Sequence, residues 1–461
     1  MRQMESFEKK YERMTTASIP PLICSLALPT IATMLITSVY NMADTYFVGK
    51  LGTSATAAVG IAFSLMCVIQ AIGFTFGMGS GNYISRLLGE KEMDQAERVA
   101  TTGFLTAVGI GIVLMLIGLC TVSPLVRLLG ATETIAPYAE SYIRFILIGA
   151  PWMTGSFVLN NLLRYQGNAF WGMIGIGAGG VLNIALDPLF IFVFGMGTSG
   201  AALATIISQF ISFVILLIFC TRGNNIRIHV KCFTPKWAIY KEILRGGLPS
   251  FYRQGLSSIA TIILNTCAGF YGDAAIAAMS IVTRLMQFAL STLLGFGQGF
   301  QPVCGFNYGA KKYDRVLEAF WFCVKTATGV LFVIALLGFM NAPELIRIFR
   351  DDAKVIEIGT KALRFQCLTF PLSSWIVMNN MLMQTIGKGT KASILALSRQ
   401  GLFFIPIIVI TAKYFGLLGV ELSQPLADVG AFILAIPLGV SVVKELKAAA
   451  VQESLLEKKI V

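Results

Sequence analysis

The sequence predicts an all-α membrane protein with twelve transmembrane helices, arranged as two pseudo-symmetric six-helix bundles around a central cleft. Of the 461 residues, 56% are hydrophobic and only 13% are charged, which is too few charges to cover a water-soluble domain of this size. The apolar residues fall in long blocks, many of which can cross about 30 Å of hydrocarbon. The third observation is an internal repeat with an offset of 220 residues.

Charged or glycine- and proline-rich breaks divide the apolar blocks into twelve spans. In chain order these are 19–45, 54–79, 97–121, 137–160, 166–194, 199–221, 243–268, 274–300, 316–341, 357–384, 391–413 and 419–443. A basic stretch after the sixth span is interpreted as a linker. The predicted domains are an N-terminal segment at 1–18, an N-lobe at 19–222, a linker at 223–242, a C-lobe at 243–444 and a tail at 445–461.

The distribution of Lys and Arg predicts the orientation. Twelve spans place both termini on one side, and basic residues are about fourfold more frequent in the segments on that side than in the opposite loops. The positive-inside rule therefore places the N-terminus, the linker and the tail in the cytoplasm. The charged N-terminus is not followed by a small-residue cleavage site, so we expect no cleaved leader.

The repeat itself indicates a transport function. Leu28-Pro29 aligns with Leu248-Pro249, Phe76-Gly77-x-Gly79 aligns with Phe296-Gly297-x-Gly299, and residues 28–94 share 17 identities with their partners. Each repeat contains an even number of spans, so the two bundles enter the membrane from the same side and leave a cleft between them. Rocking of one bundle against the other would expose this cleft alternately to each side. A duplicated scaffold without transport is the alternative.

Two acidic residues within the spans of the first bundle are the strongest candidates for chemistry. A charged carboxylate at mid-bilayer costs about 2.5–3.5 kcal/mol or more, so Asp44 and Asp187 are functional candidates. Tyr40 and Asn183 precede them by four residues and share their helix faces. Thr205, in the next span, supplies a hydroxyl that could complete the network.

The second bundle lacks matching acids. The partner of Asp44 is Leu264, and near the partner position of Asp187 the chain reads Phe404-Ile405-Pro406. This asymmetry predicts a proton or ion site in the first bundle, unless each Asp pairs with an Arg or lies at a wet helix end. A carboxyl group among apolar helices favours its neutral form, because desolvation disfavours the charge. Coupling follows if protonation and substrate favour opposite facing states.

Other polar residues in the spans give weaker signals. Asn160, in span 4, and Arg284, near the middle of span 8, are candidates for polar contacts in the cavity. The remaining charges near the spans, including Glu421 and Asp428, are for the most part expected to reach a membrane face by snorkelling.

Several function classes are disfavoured by the residue pattern. The nine cysteines are scattered singly, so we expect neither disulfides nor a metal site built on them. The sequence contains no basic run interleaved with aromatic residues, so we expect no nucleic-acid partner. The GxGxxG match at 175–180 lies inside an apolar span and is better explained by helix packing. His229, the only histidine, lies in the linker without partners, so we expect no enzyme and no cofactor.

Three segments together resemble the multidrug and toxic compound extrusion (MATE) family. They are the proline-bearing first span ending in Asp44-Thr45-Tyr46-Phe47-Val48-Gly49, the Asn183…Asp187-Pro188 element, and Gly299…Pro302…Gly305-x-Asn307-x-Gly309. The resemblance covers nearly the whole chain. It implies an exporter that exchanges amphipathic cations for protons or Na⁺.

Carried over by these motifs, the coupling-ion site consists of Tyr40, Asp44, Asn183, Asp187 and Thr205, of which the last four could also hold Na⁺. Spans 7 and 10 lack the acids of the sodium-coupled branches, apart from Glu357 at the entrance of span 10, so the pattern resembles the proton-coupled, MepA- or DinF-like branch. The sequence is therefore interpreted as a monomeric multidrug antiporter that works by alternating access in the lipid bilayer of a bacterial-type plasma (inner) membrane. The alternatives are a lipid-linked precursor flippase of the same superfamily, a membrane-embedded lipid transferase and a channel.

Overall fold

The computed structural model describes residues 2–221 and 225–460, except for the side chains of residues 2–6, 53 and 457–460. Within these ranges the chain is helical and contains no β-strand. The helices are α1 Arg2–Thr16, α2 Ile19–Gly49, α3 Thr53–Gly89, α4 Met93–Cys120, α5 Val122–Leu128, α6 Ala136–Tyr165, α7 Ala169–Pro188, α8 Gly197–Thr221, α9 Trp237–Gly269, α10 Asp273–Gly309, α11 Tyr313–Met340, α12 Ala342–Phe349, α13 Ala353–Thr369, α14 Leu372–Thr385, α15 Gly389–Leu397, α16 Ile405–Phe415 and α17 Leu417–Ile460. The predicted boundary between the N-lobe and the linker, at 222 and 223, falls outside the described residues.

All twelve predicted spans coincide with helices. Ten helical segments of the described chain are long and apolar enough to cross a membrane. The other two predicted spans lie on α9, which carries several charges, and on the α13–α14 pair, which is interrupted at Phe370-Pro371. Proline lacks a backbone N–H and clashes with the preceding turn, which favours a break here, although Pro151, the repeat partner of Pro371, lies inside the continuous helix α6. The all-α, twelve-span architecture is confirmed.

Some helices extend further than the sequence predicted. The charged N-terminal segment forms α1, and most of the tail continues α17 as far as Ile460. Short helices α5 and α12 follow the third span of each half. Helix geometry persists beyond the apolar block because backbone hydrogen bonds do not depend on hydropathy, so hydropathy alone places helix ends poorly.

The two halves have matching helices, which is consistent with the repeat. Helices α3 and α10 both have 37 residues and start 220 positions apart, and α4 and α11 both have 28 residues with the same offset. The tight turns that follow α3 and α10 also match, since Lys91 and Lys311 adopt φ values of 64° and 58°. Each lobe also contains a π-helical segment, at Leu189–Val193 and Ser398–Phe404.

The lobes pack tightly at one end of the molecule, which we call the terminal end because α1 docks there. A Cβ at Gly79 of α3 would lie 2.0 Å from the carbonyl oxygen of Ile243, and a Cβ at Gly247 of α9 would lie 2.0 Å from that of Thr75. Only glycine permits backbones of the two lobes to approach so closely. The terminal end is therefore sealed by direct contact between helix backbones.

The lobes separate at the opposite, distal end. The main apolar core joins the C-lobe to the terminal half of the N-lobe. The distal half of the N-lobe has its own core, which is built from residues such as Val48, Ile69, Tyr142 and Ile206 and receives none from the C-lobe. A continuous core across the distal interface is therefore missing among the described residues, and the cleft opens at that end.

Helix α1 connects the two lobes at the terminal end. Its last turn accepts hydrogen bonds from the C-lobe, where Asn307 Nδ2 lies 3.0 Å from the carbonyl oxygen of Met14. On the other side, Lys91 Nζ of the N-lobe lies 3.1 Å from Glu8 Oε1. The N-terminal segment is thus part of the folded structure of both lobes.

Candidate functional site

The five residues predicted to form the coupling site come together inside the N-lobe. Tyr40 and Asp44 lie on α2, Asn183 and Asp187 on α7, and Thr205 on α8. Asn183 Nδ2 donates to Asp187 Oδ1 at 3.2 Å and lies 3.4 Å from Thr205 Oγ1. Asp187 is fully buried, and Asp44, five residues before the distal end of α2, is half-buried. The cluster lies in the distal half of the lobe.

Local sequence explains the position of Asp187. The residue occupies the last turn of α7, directly before Pro188, and the chain then continues as a π-helical segment. Proline cannot donate a backbone hydrogen bond, and π-helical turns are frequent at functional sites because they redirect side chains. The irregular backbone thus holds a carboxyl group inside the lobe at the point where the helix changes its geometry.

Two further residues complete the cluster and were not found from the sequence. The Tyr142 hydroxyl of α6 donates to Asp44 Oδ2 at 3.5 Å and also lies near Thr205. Gln209 Nε2 of α8 donates to the Tyr40 hydroxyl at 3.4 Å. A signal for Tyr142 was present, because its partner in the second repeat is Ala362, the same polar-to-apolar replacement that distinguished Asp44.

The cluster has more acceptors than donors. Asp44 Oδ1, Asp187 Oδ2 and Asn183 Oδ1 are buried and have no hydrogen-bond partner in the described part of the chain. Neither aspartate forms a salt bridge with a described Lys or Arg residue. Buried acceptors without donors are costly, so this arrangement suits a proton or a small cation that supplies the missing partner.

Asn160 and Arg284 lie outside this cluster. Asn160 is buried at the α6–α7 contact, where its Oδ1 would lie 2.5 Å from a Cβ at Gly172. Gly172 precedes Asn183 by eleven residues on α7, which is about 16 Å along a helix axis. Arg284 of α10 is exposed and forms no hydrogen bond with the described residues. The structure therefore does not join either residue to the acidic cluster.

The C-lobe contains buried acids of its own, contrary to the expectation of snorkelling. Asp428 is 1% exposed, and its Oδ1 accepts hydrogen bonds from Arg399 Nε at 2.7 Å and from Gln424 Nε2 at 2.8 Å. Glu421 is also buried, near the start of α17. Asp428 stays inside because a cation compensates its charge, whereas Asp44 and Asp187 have no such partner among the described residues.

Two helical lobes around a cleft, with a polar cluster inside one of them, define a multi-pass membrane transporter. The sequence profile of the MatE family matches residues 29–189 and 249–410, one segment in each lobe. The chain therefore belongs to the MatE family of multidrug transporters, a family that is not enzymatic. The predicted resemblance and the prediction of a non-enzymatic protein are both confirmed.

Individual relatives agree with this assignment over almost the whole chain. The multidrug export protein MepA of Staphylococcus saprophyticus is 29% identical over 430 residues, which is 92% of this chain and 93% of the relative. A MATE transporter solved in complex with MaL6 has a TM-score of 0.89 at 27% identity, over 95% of this chain and 99% of its own. A multidrug resistance MATE transporter in an outward-facing conformation has a TM-score of 0.88 at 28% identity, over 94% and 99%.

Proposed function

We propose that this chain exports amphipathic organic cations from a bacterial-type cell in exchange for protons, by alternating access. The observation that carries the proposal is the pair Asp44 and Asp187, which lies inside one lobe without a described cationic partner and with one carboxylate oxygen of each residue unpartnered. The relatives whose names describe multidrug export support the choice of small amphipathic molecules as substrates.

The position of the cluster suggests the route of the proton. Asp44 lies near the end of the molecule at which the lobes separate, whereas the terminal end is sealed. In the predicted orientation the distal end faces the exterior, and a proton that enters there reaches Asp44 before Asp187. Neutral carboxyl groups are favoured in an apolar lobe, because desolvation opposes their ionisation. Protonation would then bias the lobes toward the state that opens to the cytoplasm.

Sodium is the second candidate for the coupling ion. Every atom of the cluster that could coordinate a cation is an oxygen, from the side chains of Asp44, Asn183, Asp187 and Thr205. Hard cations such as Na⁺ bind carboxylate, amide and hydroxyl oxygens. We favour the proton because the C-lobe spans 7 and 10 lack the acids that the sequence analysis associated with sodium coupling. We further propose that the monomer is the transporting unit.

Reconstitution tests this proposal. The protein is placed in proteoliposomes, and ethidium movement is followed by fluorescence while a pH gradient or a sodium gradient is imposed separately. We expect the pH gradient alone to drive transport, and we expect Asp44→Asn to reduce the rate to that of protein-free liposomes while folded protein stays in the membrane. Asp273→Asn, at the exposed start of α10 at the distal end of the other lobe, is the matched control and should transport at the wild-type rate.

Two outcomes would change the assignment. A wild-type rate in the Asp44→Asn variant would exclude Asp44 from the coupling site. Transport that responds to a sodium gradient and not to a pH gradient would replace the proton by Na⁺ at the same residues.

A further inference from the structure

A second polar cluster lies between the lobes at the sealed terminal end, away from the acidic cluster. The ring of Tyr165, the last residue of α6, packs so closely against α3 that a Cβ at Gly81 would lie 2.0 Å from it. Asn82, the next residue of α3, lies near the Tyr165 hydroxyl. The Arg164 guanidinium lies over the same ring, 4.9 Å from its centroid. Arg253, half-buried on α9 of the C-lobe, approaches both Arg164 and Tyr165.

This cluster contains buried donors without acceptors. The Arg164 and Asn82 side chains come close to the Tyr165 hydroxyl, but Arg164 Nε, this hydroxyl and Asn82 Nδ2 form no hydrogen bond of acceptable distance and angle with each other or with other described residues. The three residues are 2%, 0% and 1% exposed, so bulk water does not replace the missing partners. An arginine Nε and an amide nitrogen can only donate, and a hydroxyl group can donate. One unpartnered acceptor lies beside them, Gln301 Oε1, whose amide nitrogen is 3.5 Å from Asn82 Oδ1. Donors therefore prevail around Arg164, whereas the unpartnered atoms of the acidic cluster are all acceptors.

The charge of the cluster is also uncompensated. Arg164 donates to the side-chain oxygens of Asn161 and Gln298, both of which are neutral. No described Asp or Glu side chain forms a salt bridge with Arg164 or Arg253. An uncompensated buried guanidinium costs several kcal/mol, and proteins usually place an opposite charge beside it. Two neighbouring arginines raise this cost, because their charges repel each other.

We propose that Arg164, Tyr165, Asn82 and Arg253 form a binding site for a small monovalent anion, either chloride or the carboxylate group of a transported molecule. An anion would accept hydrogen bonds from the unpartnered donors and would compensate the positive charges of Arg164 and Arg253. Since Arg164, Tyr165 and Asn82 belong to the N-lobe and Arg253 to the C-lobe, the anion would hold the two lobes together at the terminal end. The proposal does not depend on the ion bound at Asp44 and Asp187.

Thermal unfolding of the purified full-length protein in detergent tests the site. Unfolding is followed in potassium chloride and in potassium gluconate at equal ionic strength and pH, so that only the size of the anion differs. Chloride should raise the melting temperature in a saturable manner, because a ligand that binds only the folded state stabilises it. Equal melting temperatures in the two salts, together with no response to a carboxylate-bearing substrate, would overturn the proposal.

Variants show whether the effect belongs to this site. Arg253→Gln is the primary variant, since Arg253 forms no hydrogen bond with described residues that its loss would break. This variant should lose the chloride-dependent rise, whereas Arg284→Gln, which removes an exposed cation of the same lobe that forms no ion pair with a described residue, should retain it. Arg164→Gln should also lose the rise if it folds. A full chloride response in Arg253→Gln and in any folded Arg164→Gln would contradict the site.

Matched dyes distinguish the two sources of the anion. Tetramethylrhodamine carries a free carboxylate, and its methyl ester is the same cation without that group. Binding of the free acid at least tenfold tighter than the ester, with competition by chloride and loss of the preference in Arg253→Gln, would assign the site to a substrate carboxylate. A chloride-dependent rise in melting temperature with equal binding of both dyes would assign it to the halide. Absence of both effects would refute the site.

Discussion

At the scale of single residues, two buried aspartates have opposite surroundings. Asp428 in the C-lobe is paired with Arg399 at 2.7 Å, whereas Asp187 in the N-lobe has the neutral Asn183 as its only hydrogen-bond partner in the described part of the chain. Both side chains are almost completely buried. A paired carboxylate keeps its charge and contributes to stability, whereas an unpaired one is available for a proton or a cation. Removal of the charge should therefore affect transport at Asp187 and stability at Asp428.

We expect Asp187→Asn to abolish gradient-driven ethidium transport with little change in melting temperature, because the amide keeps the shape and leaves no cation unpaired. Asp428→Asn should instead lower stability by up to about 3 kcal/mol, because it leaves Arg399 without its partner. Transport in proteoliposomes and thermal unfolding in detergent measure the two effects. A variant of Asp187 that unfolds early but transports normally would reverse the assignment of the two roles.

At the scale of helices, contacts between glycines and opposite backbones determine where the lobes can touch. Gly247 of α9 packs against the backbone of Thr75 in α3, whereas Gly255, two turns further along α9, has open space around it. The two helices still meet beside Gly255, where Gln254 Nε2 donates to Gln70 Oε1 at 2.8 Å, so the glycine contact gives way to a side-chain contact along α9. Small residues at such contacts allow the two helix backbones to approach closely. The resulting van der Waals packing is a main source of helix association in lipid.

Gly247→Ala should disturb the sealed end, because the added Cβ would lie 2.0 Å from the Thr75 carbonyl oxygen and α3 and α9 would have to move apart. We expect a lower melting temperature and slower transport. Gly255→Ala is the control on the same helix and should match the wild type in both measurements, since nothing lies within 4 Å of the added atom. Equal behaviour of the two variants would show that the contact does not hold the lobes together.

At the scale of the whole molecule, the C-lobe and the terminal half of the N-lobe share one apolar core, and the distal half of the N-lobe has a core of its own. Such an arrangement allows the lobes to tilt without unfolding, because each retains helix packing of its own. Helix α1 adds a contact with both lobes at the sealed end. The fold is thus compatible with the proposed alternation between two facing states, and the structure presents a state closed at the terminal end.

The orientation of the molecule is a separate prediction. The excess of Lys and Arg on the side of the termini predicts that the terminal end faces the cytoplasm. A fluorescent-protein fusion to the C-terminus should therefore fluoresce, and an alkaline phosphatase fusion at the same point should be inactive. Phosphatase fused after Leu51, beyond the distal end of α2, should be active. The opposite pattern of fusion activities would show that the terminal end faces the exterior, and the proposed proton route would then start in the cytoplasm.

Much of the site could be predicted from the sequence because its signals are local. Asn183 and Asp187 are four residues apart on one helix, and their repeat partners are apolar, so helix periodicity and comparison of the halves were sufficient to select them. Tyr142 was missed although the same comparison could have selected it. Gln209 was also missed, although the residue 220 positions further on is the apolar Val429, and its bond to Tyr40 depends on a contact between α8 and α2 that no spacing within one helix encodes.

The sequence alone determined the membrane class, the twelve spans and the two-lobe repeat, because hydropathy, helix length and internal similarity are properties of the chain itself. Only the tertiary structure decided that Asp428 is paired and Asp187 is not, that the lobes seal at the terminal end, and that unpartnered donors gather around Tyr165. These features depend on which side chains meet between helices distant in sequence. Whether a buried charge finds a partner is a matter of three-dimensional packing, and hydropathy carries no information about it.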